Sequence, residues 1–459
     1  MEQITKPHCG ARLDRLPDCR WHSSMFAIVA FGLLVCWSNA VGGLILAQLK
    51  ALGWTDNSTT ATFSAITTAG MFLGALVGGI IGDKTGRRNA FILYEAIHIA
   101  SMVVGAFSPN MDFLIACRFV MGVGLGALLV TLFAGFTEYM PGRNRGTWSS
   151  RVSFIGNWSY PLCSLIAMGL TPLISAEWNW RVQLLIPAIS SLIATALAWR
   201  YFPESPRWLE SRGRYQEAEK VMRSIEEGVI RQTGKPLPPV VIADDGKAPQ
   251  AVPYSALLTG VLLKRVILGS CVLIAMNVVQ YTLINWLPTI FMTQGINLKD
   301  SIVLNTMSMF GAPFGIFIAM LVMDKIPRKT MGVGLLILIA VLGYIYSLQT
   351  SMLLITLIGF FLITFVYMYV CYASAVYVPE IWPTEAKLRG SGLANAVGRI
   401  SGIAAPYAVA VLLSSYGVTG VFILLGAVSI IVAIAIATIG IETKGVSVES
   451  LSIYAVANK

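Results

Sequence analysis

Two arginines lie deep inside long apolar stretches of this 459-residue chain. Arg118 lies in a stretch over 112–136, and Arg399 lies about halfway along another over 390–413. A guanidinium is planar, always charged and matched in shape to a carboxylate. In the alternative interpretation, both guanidinium groups bond to backbone carbonyls at broken helices. A charge in an apolar span is costly and usually functional, which favours an anion-binding role.

A carboxylate and an imidazole, Glu95 and His98, lie three residues apart in the apolar stretch over 90–108. Residues at this spacing share one face of a helix. Imidazole changes its charge near physiological pH, so the pair is predicted to be able to pass a proton.

Polar side chains also recur at helical spacing in the stretch over 265–290, where Asn277, Gln280, Tyr281 and Asn285 can line one face. The alternative is that they form hydrogen bonds between helices in lipid. The predicted substrate-binding residues are Trp37, Asn39, Arg118, Asn157, Asn277, Gln280, Tyr281, Asn285, Tyr369, Asn395 and Arg399.

Two loop motifs occur twice in register. Asp83-Lys84-Thr85-Gly86-Arg87-Arg88 recurs as Asp324-Lys325-Ile326-Pro327-Arg328-Lys329, at an offset of 241 residues. Glu138 with Arg145-Gly146 recurs as Glu380 with Arg389-Gly390, at offsets of 242 and 244. The chain is therefore predicted to contain two parallel structural repeats, an arrangement typical of secondary transporters with a substrate site between the halves near the midplane.

Acids beside clustered bases can form charge-assisted hydrogen bonds in one conformation and lose them in another. The repeated loops are therefore predicted to gate a conformational change. In the alternative interpretation, Arg87, Arg88, Arg328 and Lys329 only fix the orientation in the membrane. The predicted gating residues are Asp83, Arg87, Arg88, Glu138, Arg145, Glu204, Arg207, Asp324, Arg328, Lys329, Glu380 and Arg389.

The elements that must position these residues are membrane helices. The composition is 56% hydrophobic and 12% charged, against about 25% charged in soluble domains, which excludes a soluble protein. A membrane-spanning helix needs about 20 mostly apolar residues. The predicted spans are 25–49, 61–82, 90–108, 112–136, 148–171, 179–201, 265–290, 301–323, 330–348, 352–378, 390–413 and 416–440.

The basic residues are distributed very unevenly between the two faces. With both termini inside, 27 Lys and Arg lie on the inner face and three, Lys50, Arg181 and Lys299, on the outer face. Basic loops face the cytoplasm, so both termini are predicted to be cytoplasmic. The predicted regions are an N-terminal tail (1–24), a six-helix bundle (25–201), a cytoplasmic linker with short helices (202–263), a second six-helix bundle (264–440) and a C-terminal tail (441–459).

The composition of the linker resembles that of a water-soluble protein. Its segment 214–227, followed by Gly228, has the pattern of a short amphipathic helix, which is expected to lie against the membrane surface. The segment 234–253 contains five prolines and is predicted to be flexible.

At these motifs the chain resembles the major facilitator superfamily, whose signature after the second helix matches Gly79-Ile80-Ile81-Gly82-Asp83-Lys84-Thr85-Gly86-Arg87-Arg88, with Lys84 in place of an arginine. The segments 203–209 and 118–126 resemble the sugar-porter branch and its organic-ion relatives. The resemblance implies an all-α membrane protein with twelve transmembrane helices in two pseudo-symmetric six-helix bundles. It also implies transport by alternating access, in a multi-pass protein of the bacterial inner membrane.

The chain departs from familiar sugar porters at their substrate-binding positions. Ala275 and Met276 replace paired glutamines, and Ser38 replaces the aspartate that pairs with the fourth-helix arginine in proton-coupled members. The motif around Arg399 resembles that of organic-anion and aromatic-acid transporters. We therefore expect a carboxylated substrate, a sugar acid or an aromatic acid, with a neutral sugar or polyol as the alternative.

Proton coupling is expected to involve Glu95 and His98 or the substrate's own carboxylate, although the third helix is usually scaffold in this family. The other expected partners are the small-molecule substrate and the lipid bilayer. No cofactor, metal or nucleic acid is expected, and the chain is expected to be a monomer. With three histidines and no paired acids, an enzyme is disfavoured. A transporter-like nutrient sensor is the alternative of another class.

Overall fold

The computed structural model describes residues 7–17, 19–32, 36–140, 145–240, 253–323, 325–382 and 386–444. For residues 133–138, 145–147, 149–150 and 387–388 it describes the backbone alone. Every regular element within these ranges is a helix. The predicted flexible segment is described only up to residue 240.

The described residues of the first half and the linker form twelve helices. They are α1 (Cys9–Asp14), α2 (Arg20–Gly32), α3 (Trp37–Ala51), α4 (Asn57–Thr85), α5 (Arg87–Ala106), α6 (Met111–Tyr139), α7 (Arg145–Asn157), α8 (Ser159–Leu170), α9 (Ala176–Tyr201), α10 (Pro206–Ser211), α11 (Tyr215–Thr233) and α12 (Tyr254–Leu257).

The second half contains seven α-helices and one π-helical segment. They are α13 (Gly260–Thr293), α14 (Leu298–Met309), α15 (Gly311–Val322), α16 (Arg328–Ser347), α17 (Met352–Cys371), the π-helical Tyr372–Tyr377, α18 (Val378–Glu380) and α19 (Lys387–Ile439).

Ten helical stretches of the described chain are long and apolar enough to cross a bilayer. The stretch Arg389–Ile439 covers two predicted spans, which meet at Gly417 (φ 65°, ψ −160°). The predicted span 148–171 is divided between α7 and α8, each too short to count by itself. Over their described residues, the twelve predicted spans thus coincide with helix.

The described residues form two compact units whose boundary is not the predicted six-plus-six division. The first unit is drawn from Met1–Ser38, Gly70–Gly156 and Leu184–Gly246, and the second from Asn39–Ala69, Asn157–Gln183 and Lys247–Lys459. The second unit therefore joins parts of first-half helices to the second half of the sequence. The predicted residue bounds of the two six-helix bundles stay a prediction.

Within the second unit, first-half helices contact second-half helices at several points. Asn57 Nδ2 of α4 donates to Ser414 Oγ of α19 (2.9 Å). Asn305 Nδ2 of α14 donates to Ser164 Oγ of α8 (3.0 Å). The ring of Tyr160 packs edge-on against a ring of α17 at 5.5 Å.

Gly43 permits the closest of these approaches. A Cβ atom on Gly43 of α3 would lie 2.4 Å from the Ile284 carbonyl oxygen and 2.9 Å from that of Asn285, both in α13. Only a residue without a side chain lets the two backbones pack this closely. By the predicted topology these contacts lie toward the outer face.

Helices α1, α10 and α11 form a small cluster in the first unit, hereafter the tail–linker cluster. Its buried core consists of Cys9, Leu13, Leu16, Trp208, Leu209, Ala218, Met222, Ile225 and Val229. The N-terminal tail covers the apolar face of the linker helix, so this face does not need lipid to cover it. That the helix lies against the membrane surface stays a prediction. The helix also extends past Gly228 to Gly234, which ends it in the left-handed conformation (φ 64°).

Candidate functional site

Arg118 of α6 is buried, and its guanidinium is bonded to the backbone of α3. Its Nη1 donates to the Ser38 carbonyl oxygen at 2.7 Å and contacts Met121 Sδ at 3.2 Å. A carbonyl oxygen of Ser38 thus occupies the place where relatives are expected to supply a carboxylate. This is the bonding that the alternative interpretation of Arg118 describes, and contact with substrate stays a prediction.

His98 lies beside the same serine. Its Nε2 is 2.9 Å from Ser38 Oγ, and its Nδ1 is 3.2 Å from Ser191 Oγ of α9. Glu95 Oε2 lies 4.0 Å from His98 Nδ1, and both side chains are completely buried. The spacing of Glu95 and His98 correctly predicted that they lie together, but not that Ser38 and Ser191 hold the ring. A role in proton coupling stays a prediction.

Arg399 of α19 is half-buried, and its neighbour Gly398 packs against Leu273 and Asn277 of α13. The Nη1 atom of Arg399 is buried and has no hydrogen-bond partner among the residues that the structure describes. A buried guanidinium nitrogen without a partner is costly. An anionic ligand would satisfy it.

The polar face of α13 is only partly available to a ligand. Asn277 Nδ2 donates to the Leu273 carbonyl of its own helix at 2.7 Å. Asn285 is buried, whereas Gln280 and Tyr281 are half-buried. The hydroxyl of Tyr369 donates to the Val272 carbonyl at 3.1 Å, the interhelical type of bond that the alternative interpretation expects.

The remaining predicted binding residues differ in exposure. Trp37 and Asn39 are buried, and Asn157 is half-buried. Asn395 is exposed and donates to the Ser391 carbonyl of its own helix at 2.9 Å. Their contact with substrate stays a prediction.

The first of the two loops that are predicted to gate, residues 83–88, is held by acids at both ends and is hereafter the first gating loop. Arg87 Nη1 pairs with Asp83 Oδ1 at 2.6 Å. Glu204 Oε1, from the segment after α9, accepts hydrogen bonds from the backbone amides of Arg87 (2.7 Å) and Arg88 (3.3 Å). A carboxylate at this position satisfies the unpaired amides of the α5 N-terminus and its positive dipole.

The linker also binds this loop. Trp208 Nε1 and Arg212 Nη2 both donate to the Asp83 carbonyl oxygen, at 2.7 and 2.5 Å. Arg207, predicted to gate, pairs instead with Asp14 of the N-terminal tail at 2.9 Å. The tail–linker cluster is thus fastened to the first gating loop.

The second gating loop repeats this arrangement with different residues. Arg328 Nε pairs with Glu380 Oε2 at 3.0 Å. Glu442 accepts hydrogen bonds from the backbone amides of Arg328 (2.8 Å) and Lys329 (3.1 Å), at the N-terminus of α16. Burial raises the pKa of Glu442, but these amide hydrogen bonds outweigh it and hold the pKa below its ordinary value.

Glu442 is a helix-capping residue of the second loop that the sequence analysis missed. It follows the twelfth span as Glu204 follows the sixth, at an offset of 238 residues. That register, close to the 241 of the loops, is the signal that could have revealed it.

The other predicted gating residues are less informative. The Arg389 guanidinium lies 5.2 Å from the ring centroid of Tyr254. Asp324 and the side chains of Glu138 and Arg145 lie outside the described residues. No group of three His, Cys, Asp or Glu side chains within the described ranges could hold a metal ion.

Comparison with known proteins decides the family. The sequence profile of the Major Facilitator Superfamily matches residues 25–406. The chain belongs to the major facilitator superfamily. This confirms the resemblance and the fold class inferred from the repeated loops.

Individual members of the superfamily are similar over almost the whole chain. "Inner membrane metabolite transport protein YdjE" of Escherichia coli is 44% identical, over 98% of this chain and 99% of its own. "Niacin transporter NiaP" of Acinetobacter baylyi is 26% identical, over 96% and 99%. The xylose transporter XylE from E. coli, in a partially occluded inward-open conformation, has a TM-score of 0.74 at 18% identity, covering 93% of this chain and 100% of that one.

The protein is therefore an integral, multi-pass transporter of metabolites in the inner membrane, and it binds small-molecule substrates. The likeness to the xylose transporter concerns the fold alone.

Proposed function

We propose that this transporter carries a small carboxylated metabolite, a sugar acid or an aromatic acid, by alternating access, and that Arg399 binds its carboxylate. The observation that carries the proposal is the buried Nη1 of Arg399, which lacks a protein acceptor in the described chain. A guanidinium offers a carboxylate two parallel hydrogen bonds. Binding a carboxylate there would supply the missing acceptor.

Two further points support an acid. The positions where sugar porters are expected to carry paired glutamines hold Ala275, which is buried, and Met276, and neither can bind a sugar hydroxyl. A relative over nearly the full length is named a niacin transporter, and niacin is an aromatic carboxylic acid. A neutral sugar is the second candidate, because another relative, 27% identical over 95% of this chain, is named an arabinose-proton symporter.

The experiment is a thermal-shift and uptake comparison with purified protein in detergent and in proteoliposomes. Niacin, gluconate and xylose serve as the aromatic acid, the sugar acid and the neutral sugar. One of the acids should stabilise the protein and be taken up. Uptake of xylose alone would overturn the carboxylate proposal, and binding without uptake would favour a sensor.

Removing the guanidinium should weaken acid binding specifically. Losing one partner of a buried, charge-assisted pair costs about 2–5 kcal/mol, so Arg399→Ala should bind the acid more than about tenfold more weakly. Arg151→Ala, which removes an exposed arginine of α7, is the control and should bind normally. Normal acid binding by Arg399→Ala would contradict the assignment.

A further inference from the structure

Two ionisable side chains of α5, Glu95 and His98, are buried inside the protein. Glu95 and His98 lie in a predicted membrane span, and neither is exposed. Binding of a carboxylate by Arg399 explains neither residue. Arg399 lies in the second unit, whereas Glu95, His98 and their described partners lie in the first. Buried ionisable groups in a membrane are costly and usually carry ions or protons.

The surroundings of His98 suit both of its protonation states. A neutral imidazole presents one donor and one acceptor, whereas a protonated one presents two donors. Serine hydroxyls can donate or accept, and His98 has one at each nitrogen, from Ser38 and Ser191. The ring can therefore gain or lose a proton without losing either hydrogen bond.

Glu95 adds a second proton acceptor beside the ring. Neither of its oxygens has a hydrogen-bond partner of good geometry among the described residues, and Oε2 is 4.0 Å from His98 Nδ1. An ionised carboxylate in this setting would be costly unless it were paired. With one proton, the pair is either a protonated Glu95 beside neutral His98 or an ionised Glu95 beside protonated His98. Release of that proton leaves an ionised Glu95 beside neutral His98, a state ready to take up a proton again.

Ser38 connects this pair to Arg118. Its hydroxyl contacts His98 Nε2, while its carbonyl oxygen accepts from Arg118 Nη1. The charged and titratable groups that face the pair are Arg118 of α6 and the Cys36 thiol, just before α3. Protonation of His98 would add a positive charge that repels the guanidinium of Arg118. Because Ser38 contacts both side chains, this repulsion would act on α3 through Ser38.

We propose that Glu95 and His98 form the proton-binding site of this transporter and that Ser38 couples its protonation to Arg118. A proton taken from water on one side forms an N–H bond on His98 or an O–H bond on Glu95, and it returns to water on the other side. In this proposal the pair takes the role of the first-helix aspartate, which is a serine, Ser38, in this chain. This inference rests on the proposed transport function, since a proton site needs a carried substrate.

The test separates transport from proton coupling. Proteoliposomes receive gluconate or niacin, whichever is transported, in two assays: exchange of labelled against unlabelled substrate at equal pH, and accumulation driven by a pH gradient. With one proton per monovalent anion, a gradient of one pH unit supports about tenfold accumulation. Protein-free liposomes correct for passive entry of the acid.

Glu95→Gln and His98→Gln should exchange substrate but lose the gradient-driven accumulation. His22→Gln is the matched control, because His22 is equally buried, in α2, and it should accumulate substrate as wild type does. Failure of exchange in wild type would refute the proposed function. Normal exchange with unchanged accumulation in both α5 variants would overturn the proton site.

Ser38 is a positioning residue, so its test is a pH profile. Ser38→Ala should make exchange less dependent on pH, and Ser38→Thr, which keeps the hydroxyl, should restore the wild-type profile. An unchanged profile in Ser38→Ala would show that Ser38 does not connect the two sites.

Discussion

At the residue scale, the geometry of the first gating loop depends on Gly86. Its φ of 98° lies in the region that favours glycine. A Cβ on Gly86 would lie 2.2 Å from Glu204 Oε2, the carboxylate that caps α5. The motif therefore requires glycine for two reasons, the backbone conformation and the space for the acid.

We predict that Gly86→Ala slows transport but leaves substrate binding measurable. Strained backbone costs about 1–3 kcal/mol, and the displaced cap would change the equilibrium between conformations rather than the binding residues. Asp83→Asn and Arg87→Gln should behave in the same way because they break the ion pair of this loop. Uptake rate and thermal shift with the transported acid measure the two properties.

The control for Gly86 lies in the same motif. A Cβ on Gly79 would meet nothing within 4 Å, so Gly79→Ala should transport normally. If both glycine variants slowed transport equally, the space that Gly86 leaves for Glu204 would not be the reason for the slowing.

At the element scale, the close contact of α3 with α13 is predicted to close the outer side of the protein. We predict that Gly43→Val keeps the outer ends of these helices apart, because its Cβ would clash with two backbone carbonyls. The native Cys163 of α8 is buried beside the Ser164–Asn305 contact. It should react faster with a membrane-impermeant thiol reagent from outside in Gly43→Val than in wild type.

Gly169→Val is the control for Gly43, since a Cβ at that position meets nothing. It should leave the labelling of Cys163 unchanged. If Gly43→Val also left labelling unchanged, the α3–α13 contact would not determine closure.

The tail–linker cluster depends on an ion network at this same scale. Arg12 donates two hydrogen bonds to Glu226 and pairs with Glu219, and Arg15 also donates to Glu226 (2.6 Å). Burial raises the pKa of Glu226, but the hydrogen bonds from Arg12 and Arg15 outweigh it and lower the pKa below its ordinary value of 4.5.

The sign of the pH dependence follows from this lowered pKa. A carboxylate with a lowered folded pKa stabilises the fold at pH above its unfolded value, and the contribution is lost as the pH falls through the folded pKa. We predict that docking of α1 on α11 is constant from pH 7 to about 5 and weakens below about 4.5. Hydrogen exchange of residues 215–233, corrected for intrinsic rates, measures this.

The same network can be tested at neutral pH. Burial raises the pKa of the Cys9 thiol to about 12, so its labelling reports release of the tail. Arg12→Met removes charge-assisted hydrogen bonds worth about 1.5–3 kcal/mol each and should speed Cys9 labelling. Arg223→Met, which removes an exposed arginine bonded to Glu219, should not. Equal rates in the two variants would contradict the role of Arg12.

At the scale of the whole molecule, the basic residues determine orientation. With 27 Lys and Arg on one face against three on the other, we predict that Lys235→Cys is labelled only from the cytoplasm and Thr55→Cys only from outside. Both are made in a variant without native cysteines, with an impermeant reagent on intact cells and on inverted vesicles. Labelling of Lys235→Cys from outside would invert the topology.

The sequence alone determined the spans, the repeated loops and the pairing of Glu95 with His98. Hydropathy over about 20 residues and helical spacing are local properties, and lipid forces each span to satisfy its own backbone. The register of the repeats predicted the gating acids but not Glu442, which lies outside the repeated motifs. Arg118 and Arg399 could be singled out because a charge stands out in an apolar stretch.

Only the tertiary structure decided what these residues contact. Ser38 meets His98 across 60 residues, Glu204 caps Arg87 across 117, and the tail amide of Cys9 meets Glu210 across 201. The amphipathic pattern of α11 predicted that one of its faces would be covered. The same pattern is expected whether lipid or α1 covers that face, so the sequence did not identify which one does. Such contacts depend on how distant helices pack, and a local pattern fixes the face of a helix without fixing its neighbour.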